Sequence, residues 1–188
     1  MMNAENAEVG IEYKATLDFW SKAYTNSTAV LFGIIGLFGI LALIVHSNNY
    51  QAIFAIMLVF SIGIVSLLVL SLFKPDKYLL RTDAIIVKRI ISDRTIDLSN
   101  MTEVRTVKKN ELGLLILSFG FWSRGFFGYF GKLYLPRLGF VTLFATRTDH
   151  LILLTTKKQM YIISPDDLTM LDEMKRFGYP VVSSTLAS

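Results

Sequence analysis

Two long runs of uncharged, mostly apolar residues constrain this chain more than any other feature. They cover residues 29–45 and 52–73, and only six residues separate them. Helices of these lengths would measure about 26 and 33 Å, close to the roughly 30 Å hydrocarbon core of a bilayer. A helical hairpin buried in a soluble protein is the alternative, but neither run has a polar face that could meet water. We therefore expect two membrane-spanning helices.

Basic residues near the two runs predict their orientation. The connection between the runs contains no Lys or Arg, whereas residues 74–89 contain five, and Lys14 and Lys22 precede the first run. Basic residues collect on the cytoplasmic side, so both termini should be cytoplasmic. We expect no cleaved signal peptide, because 28 residues precede the first run and the first twelve include three glutamates. The sequence thus predicts a protein integral to the membrane, with both termini on its cytoplasmic side.

Composition excludes several classes of function. The 188 residues include no cysteine, which rules out disulfides and thiolate metal sites. Residues 1–73 carry a net charge of −2 and residues 74–188 a net charge of +6. Each Lys or Arg near an anionic leaflet contributes roughly 1 kcal/mol of attraction. We find no nucleic-acid-binding motif. Membrane lipids are therefore the expected partners, and we expect neither nucleic acid nor a small-molecule substrate.

The segment before the first run shows a helical pattern. Val9, Tyr13, Leu17, Trp20 and Tyr24 recur at spacings of three and four residues. This spacing predicts an amphipathic helix within residues 1–28, with its aromatic side chains at headgroup level. The same helix could instead pack on the soluble part of the protein or continue the first spanning helix.

Small residues form a strip along the first spanning run. Gly33, Gly36 and Gly39 lie three residues apart, and such strips let helix backbones approach closely. The second helix is the expected neighbour, and dimerisation through the strip is an alternative. His46 is the ionisable residue nearest the hairpin and lies at a helix end, so ion transport is not expected.

After residue 73 the pattern changes from helix to strand. Short runs rich in β-branched residues are separated by turns, at residues 78–81, 84–91, 95–98 and 102–109. Further strands fit "GFVTLFAT", "HLILLTT" and "QMYIIS". Ser164 and Pro165 then predict the start of a helix that covers "DDLTMLDEMKRF" and ends at Gly178. We expect residues 179–188 to be a flexible tail.

The order of these elements resembles a known family. The meander that opens on "YLLRTDAIIVKR", the hairpin "LILLTTKKQMYIISPDD" and the closing helix are similar to bacterial pleckstrin-homology (PH-like) domains. The resemblance implies a membrane α-helical hairpin plus a mainly-β PH-like barrel, with about seven antiparallel strands capped by a C-terminal α-helix. It implies three parts after the N-terminal segment: the hairpin at residues 29–73, a cytoplasmic PH-like domain at 74–178, and the tail.

The stretch "GFFGYFG" at residues 125–131 has a glycine at every third position. A phosphate-binding loop would need a preceding strand, a following helix and a Lys-Ser/Thr pair, and here Leu133 follows Lys132. The glycines could relieve crowding at a barrel corner while the aromatics fill the core. Alternatively, the aromatics form a loop that inserts at the membrane interface, at Phe126, Phe127, Tyr129 and Phe130. A protein-docking patch is a third possibility.

The basic residues around this stretch are the candidates for contacts with lipid headgroups: Arg124, Lys132, Arg137, Lys108 and Lys109. Catalysis, cofactors and metals are not expected. His150 beside Asp149 is an isolated pair, and capping of a helix start explains Asp166 and Asp167.

The sequence therefore predicts a membrane-anchored, non-catalytic binding or scaffold module. Its PH-like domain would contact anionic lipid headgroups or a membrane-protein partner. The alternative function is a structural subunit that forms homo-oligomers through its transmembrane helices and barrel, without lipid recognition.

Overall fold

The structure, a computed structural model, describes residues 10–45, 50–107, 128–135 and 138–182. Its longest elements are helices α1 (Phe19–Val45) and α2 (Tyr50–Leu72), which contain the apolar runs and pack against each other. Most of their large apolar side chains are exposed, unlike those of a core helix in a soluble domain. Both helices are long and apolar enough to cross a membrane.

Glycines allow α1 and α2 to approach closely. A Cβ atom at Gly36 would lie 2.6 Å from the Phe60 ring, and one at Gly39 would lie 2.9 Å from the Met57 sulfur. Among the described residues, no atom lies within 4 Å of a Cβ built at Gly33. Gly36 and Gly39 therefore face α2 of the same chain, and Gly33 faces away from it.

In the described residues, ten strands form two sheets. The first sheet is antiparallel throughout, with strands in the order β1 (Ile11–Lys14), β2 (Pro75–Leu80), β3 (Ala84–Arg89) and β4 (Arg94–Asp97). The second sheet has the order β10 (Val181–Val182), β5 (Met101–Val107), β8 (Leu151–Thr156), β9 (Met160–Ile163), β7 (Gly139–Ala145) and β6 (Tyr129–Leu135).

The predicted fold class is confirmed in its main elements. Two apolar helices are followed by a β-rich region and by the C-terminal helix α3 (Thr169–Arg176). The predicted closed barrel is wrong, because β4 and β6 are edge strands of separate sheets and do not pair with each other. The pairs β7–β9 and β5–β10 are also parallel rather than antiparallel.

The helix predicted at residues 9–24 is wrong in its first half. Residues Ile11–Lys14 form β1, which pairs with β2. Tyr13 is buried while Glu12 and Lys14 are exposed, which is the alternation of a strand. The helical spacing of the five apolar residues in this segment concealed that alternation. The first sheet therefore pairs a strand that precedes the helical hairpin in the sequence with a strand that follows it.

The predicted helix start at Ser164 and Pro165 is also wrong. α3 begins at Thr169, and Ser164 is fully buried. The Ser164 hydroxyl oxygen accepts a hydrogen bond from the backbone N–H of Thr146 at 2.8 Å, so it bridges β7 and β9 instead of capping a helix. The helix ends as predicted, with Gly178 at a φ of 85° after it.

The apolar core consists of two clusters. The first lies between the two sheets and α3, where Met170 and Met174 are fully buried. It includes Tyr13 from β1 and Tyr78 from β2. The second cluster lies against the second sheet and includes Leu135 at the end of β6. Burial of Tyr13 joins the N-terminal strand to the domain that follows the hairpin.

Candidate functional site

A cavity of about 910 Å³ lies between α2 and the two sheets. One wall is a single face of α2, formed by Val65, Ser66, Val69 and Leu70, and Phe73, directly after the helix, continues it. The other wall comes from β3, β4, β6, β7 and β9. Because β4 and β6 are the edges of their sheets, the cavity occupies the opening where the sheets do not close. We call it the basic cavity, because its charged lining residues in the described chain are Arg89, Arg94 and Lys132.

Arg89 ends β3 at the base of the basic cavity. Its guanidinium donates to the backbone oxygen of Ser92 at 2.7 Å and to the Ser92 hydroxyl at 3.0 Å. The guanidinium carbon also lies 5.8 Å from the ring centroid of Phe73 and 5.9 Å from that of Phe144. Desolvation and the charge of Arg94 lower the pKa of Arg89, against the opposite effect of Asp93. A cation is thus held between the end of α2 and the second sheet.

Arg94 and Lys132 are the exposed cations of the basic cavity. Arg94 begins β4, and Lys132 lies in the middle of the edge strand β6 opposite Thr142. Within the described ranges, neither side chain has an ion pair. Three cations and no described carboxylate line the cavity, so it attracts an anion. The apolar face of α2 beside them suits an amphiphilic ligand.

The structure places one of the five predicted headgroup contacts in this cavity. Lys132 lines it, whereas Arg124, Arg137, Lys108 and Lys109 lie outside the described residues. Sequence reasoning missed Arg89 and Arg94 as site residues. Both flank the turn "IISD" between two strands, and this closely spaced pair of arginines was the signal that could have found them.

The described part of the glycine-aromatic stretch lies partly in the core. Gly128 has a φ of 112°, and a Cβ atom there would lie 2.7 Å from the backbone oxygen of Ala145. The half-buried Tyr129 packs against the second core cluster, and Phe130 lines the basic cavity. Phe126 and Phe127 lie outside the described residues.

The acidic residues near α3 join the N-terminal segment to the second sheet. The carboxylate of Asp166 accepts hydrogen bonds from the Thr16 N–H and hydroxyl, both at 2.9 Å, and pairs with Arg147 at 3.3 Å. The cap predicted for Asp166 is therefore wrong, whereas the Asp167 carboxylate accepts from the Thr169 N–H at the start of α3. The described chain contains no group of three or more His, Asp or Glu residues that could hold a metal ion.

Comparison with known proteins identifies the family of the sheet-rich region. The family model of the bacterial PH domain matches residues 76–176, which is more than half of the chain and runs from β2 to α3. This chain belongs to the bacterial PH domain family. The predicted resemblance is therefore confirmed. We found no significant match to a curated protein or to a solved structure.

The family assignment bears on the kind of activity to expect. PH domains are generally non-catalytic binding modules that bind lipids or proteins. The cationic residues of the basic cavity all lie within the matched region, whereas its α2 wall lies before the match. The cavity is therefore formed jointly by the PH domain and a helix that can cross a membrane.

Proposed function

We propose that this protein is a membrane-anchored, non-catalytic binding module whose PH domain contacts anionic lipid headgroups at the basic cavity. The observation that carries the proposal is the position of Arg89, Arg94 and Lys132 directly opposite α2. A headgroup phosphate would bind these cations, and an acyl chain would lie along the face of α2 that contains Val65 and Val69.

The proposed orientation puts both termini on the cytoplasmic side of the bacterial inner membrane. The excess of Lys and Arg after residue 73 supports it, as does their absence from the connection between the helices. In this orientation the C-terminal end of α2, which lines the basic cavity, lies at the inner leaflet, whose anionic lipids attract each nearby cation by about 1 kcal/mol.

The other predicted contacts stay part of this proposal, although they lie outside the described residues. Arg124, Arg137, Lys108 and Lys109 would contact lipid headgroups, and Phe126 and Phe127 would insert at the membrane interface. A membrane-protein partner is the second kind of ligand for such a module. Oligomerisation through the glycine strip has less support, because Gly36 and Gly39 already face α2 of the same chain.

Native mass spectrometry of the full chain, released from micelles that contain phosphatidylcholine or phosphatidylglycerol, tests the proposal. We expect the wild type to retain phosphatidylglycerol in preference to phosphatidylcholine. Combined Arg94→Ser and Lys132→Ser should remove this preference, because two of the three cations of the cavity are lost. The fold should be retained, because neither side chain has an ion pair with a described residue.

The matched control is combined Lys175→Ser and Arg176→Ser in α3, which removes the same charge outside the cavity lining. It should retain the preference. Soluble glycerol phosphate, added as a competitor, separates a bare phosphate site from a lipid site, because it lacks the chain that would contact α2. Equal lipid retention by the wild type and the cavity variant would contradict the proposal.

A further inference from the structure

The turn between β3 and β4 has an unusual composition for its place in the fold. Hairpin turns usually consist of polar residues and glycine. This turn, residues 90–93, begins with Ile90 and Ile91, whose exposed fractions are 67% and 57%. Single exposed apolar side chains are common, but two large adjacent ones at the tip of a hairpin are not explained by packing within the fold. We call residues 90–93 the isoleucine tip.

The polar residues of the isoleucine tip bind within the hairpin itself. Lys88 pairs with the Asp93 carboxylate at 2.5 Å. Arg89 donates to the backbone and the hydroxyl of Ser92. These bonds fix the turn without using either isoleucine, so the two apolar side chains project from an ordered base.

Strand register places the tip level with the end of α2. β2 starts at Pro75, three residues after Leu72, and Pro75 pairs with Arg89. The chain beyond Arg89 therefore extends past the start of β2, toward the helix. The contact between the Arg89 guanidinium and the Phe73 ring joins the base of the tip to the helix end.

We infer that the isoleucine tip inserts into the same membrane leaflet as the end of α2, as a second membrane contact of the PH domain. Its ligand is the lipid surface. Two apolar side chains would enter the acyl boundary, and Arg94, which follows the tip, would lie at headgroup level beside the Lys88–Asp93 pair. This arrangement of charge around apolar residues fits a bilayer better than the apolar surface of a protein partner.

The inference rests on the membrane anchoring proposed above, but it is independent of the headgroup site. Insertion of isoleucine is driven by apolar burial and should occur in neutral lipid as well. Binding at the basic cavity, in contrast, requires an anionic headgroup. The two proposals can therefore fail separately.

The absence of cysteine makes the full chain suitable for site-specific labelling. Ile90→Cys and Ile91→Cys, made singly, would carry an environment-sensitive fluorophore in nanodiscs of phosphatidylcholine that contain a lipid with a shallow spin-label quencher. Neither substitution removes a hydrogen bond of the tip. The matched control is Asp83→Cys, in the turn at the other end of β3, about 23 Å from Ile90 along the strand.

We expect blue-shifted emission and strong quenching at both isoleucine positions, and neither effect at Asp83→Cys. Emission and quenching equal to those of Asp83→Cys would overturn the inference and would favour a protein partner for the tip. If the tip labels are quenched while phosphatidylglycerol preference is absent, the insertion is supported and the headgroup site fails. If the preference is present and the tip labels are unquenched, the reverse holds.

Discussion

Two polar regions of the PH domain differ in whether the protein itself provides partners for their polar side chains. Around Tyr78, the hydroxyl groups are hydrogen-bonded within the protein. The Tyr78 hydroxyl donates to the Phe144 backbone oxygen and accepts from the Ser164 N–H, and the Ser164 hydroxyl oxygen accepts from Thr146. In the basic cavity, Arg94 and Lys132 have no ion pair with any described residue.

This difference separates polar residues that stabilise the fold from those available to a ligand. A buried polar group without a partner costs free energy, so the hydroxyls of Tyr78 and Ser164, both fully buried, need the hydrogen bonds that the chain provides. Exposed cations pay little for lacking a partner, since water solvates them. Substitutions in the first region should therefore affect stability, and substitutions in the second should affect binding.

The largest loss of stability should come from the strand that precedes the hairpin. Tyr13→Ala would remove a buried aromatic side chain from the first core cluster, at a cost of about 3–5 kcal/mol. Ile11→Ala, in the same strand but 39% exposed, should cost much less. Thermal unfolding of the full chain in micelles would measure both. Equal, small effects would mean that β1 does not belong to the core.

A smaller loss should follow from Ser164→Ala. The Thr146 N–H would lose its acceptor in a fully buried position, which costs about 1–3 kcal/mol. The control is Ser99→Ala on an exposed turn, where a change within about 0.5 kcal/mol is expected. Chemical denaturation would compare the two variants, and a Ser164→Ala protein as stable as the control would show that this hydroxyl is not needed.

The pH dependence of stability should reveal the same buried cluster. Burial raises the pKa of Tyr78 to about 12, although hydrogen bonds with Ser164 act in the opposite direction. An unfolded tyrosine titrates near 10, so between about pH 10 and 12 the unfolded chain loses a proton that the folded chain retains. Stability present below pH 10 is therefore lost as the pH rises, by an amount on the order of 3 kcal/mol for this group.

Comparison of the wild type with Tyr78→Phe isolates this effect. The stability advantage of the wild type should shrink across the same pH range, because phenylalanine has no proton to lose. Tyr134→Phe, at an exposed position, is the control and should follow the wild type. A constant difference between the wild type and Tyr78→Phe would contradict the shifted titration.

The sequence predicted those parts of the fold that depend on local patterns. Uncharged runs predicted α1 and α2, and alternation with turn residues predicted β2, β3 and β8 within a few residues. Contacts between distant segments were not predictable in this way. Tyr13 lies in a strand because β2, more than sixty residues later, provides its partner, and Ser164 is a tertiary acceptor rather than a cap.

The candidate site was also predictable only where it depends on local sequence. Lys132 was recognised as a cation next to aromatic residues, which is a local property. Arg89 and Arg94 join it because β3, β4 and β6 end up around one opening beside α2. That arrangement exists because the two sheets do not close into a barrel, and the spacing of residues along the sequence does not predict it.

The position of β1 before the helical hairpin affects how the protein should be studied. A fragment that starts after the hairpin would lack β1 and the buried Tyr13, and would expose the edge of β2. Vesicle binding by such a fragment would reflect a sheet that lacks one strand, not the intact domain. Lipid binding should therefore be measured on the full chain.

Thermal unfolding of the full chain in neutral micelles, titrated with phosphatidylglycerol, tests the headgroup site most directly. A ligand that binds the folded state raises the melting temperature with its concentration. We predict that the wild type and the combined Arg94→Ser and Lys132→Ser variant melt together without the lipid, and that only the wild type gains stability as it is added. An equal rise in both proteins would contradict the assignment of the basic cavity as a lipid site.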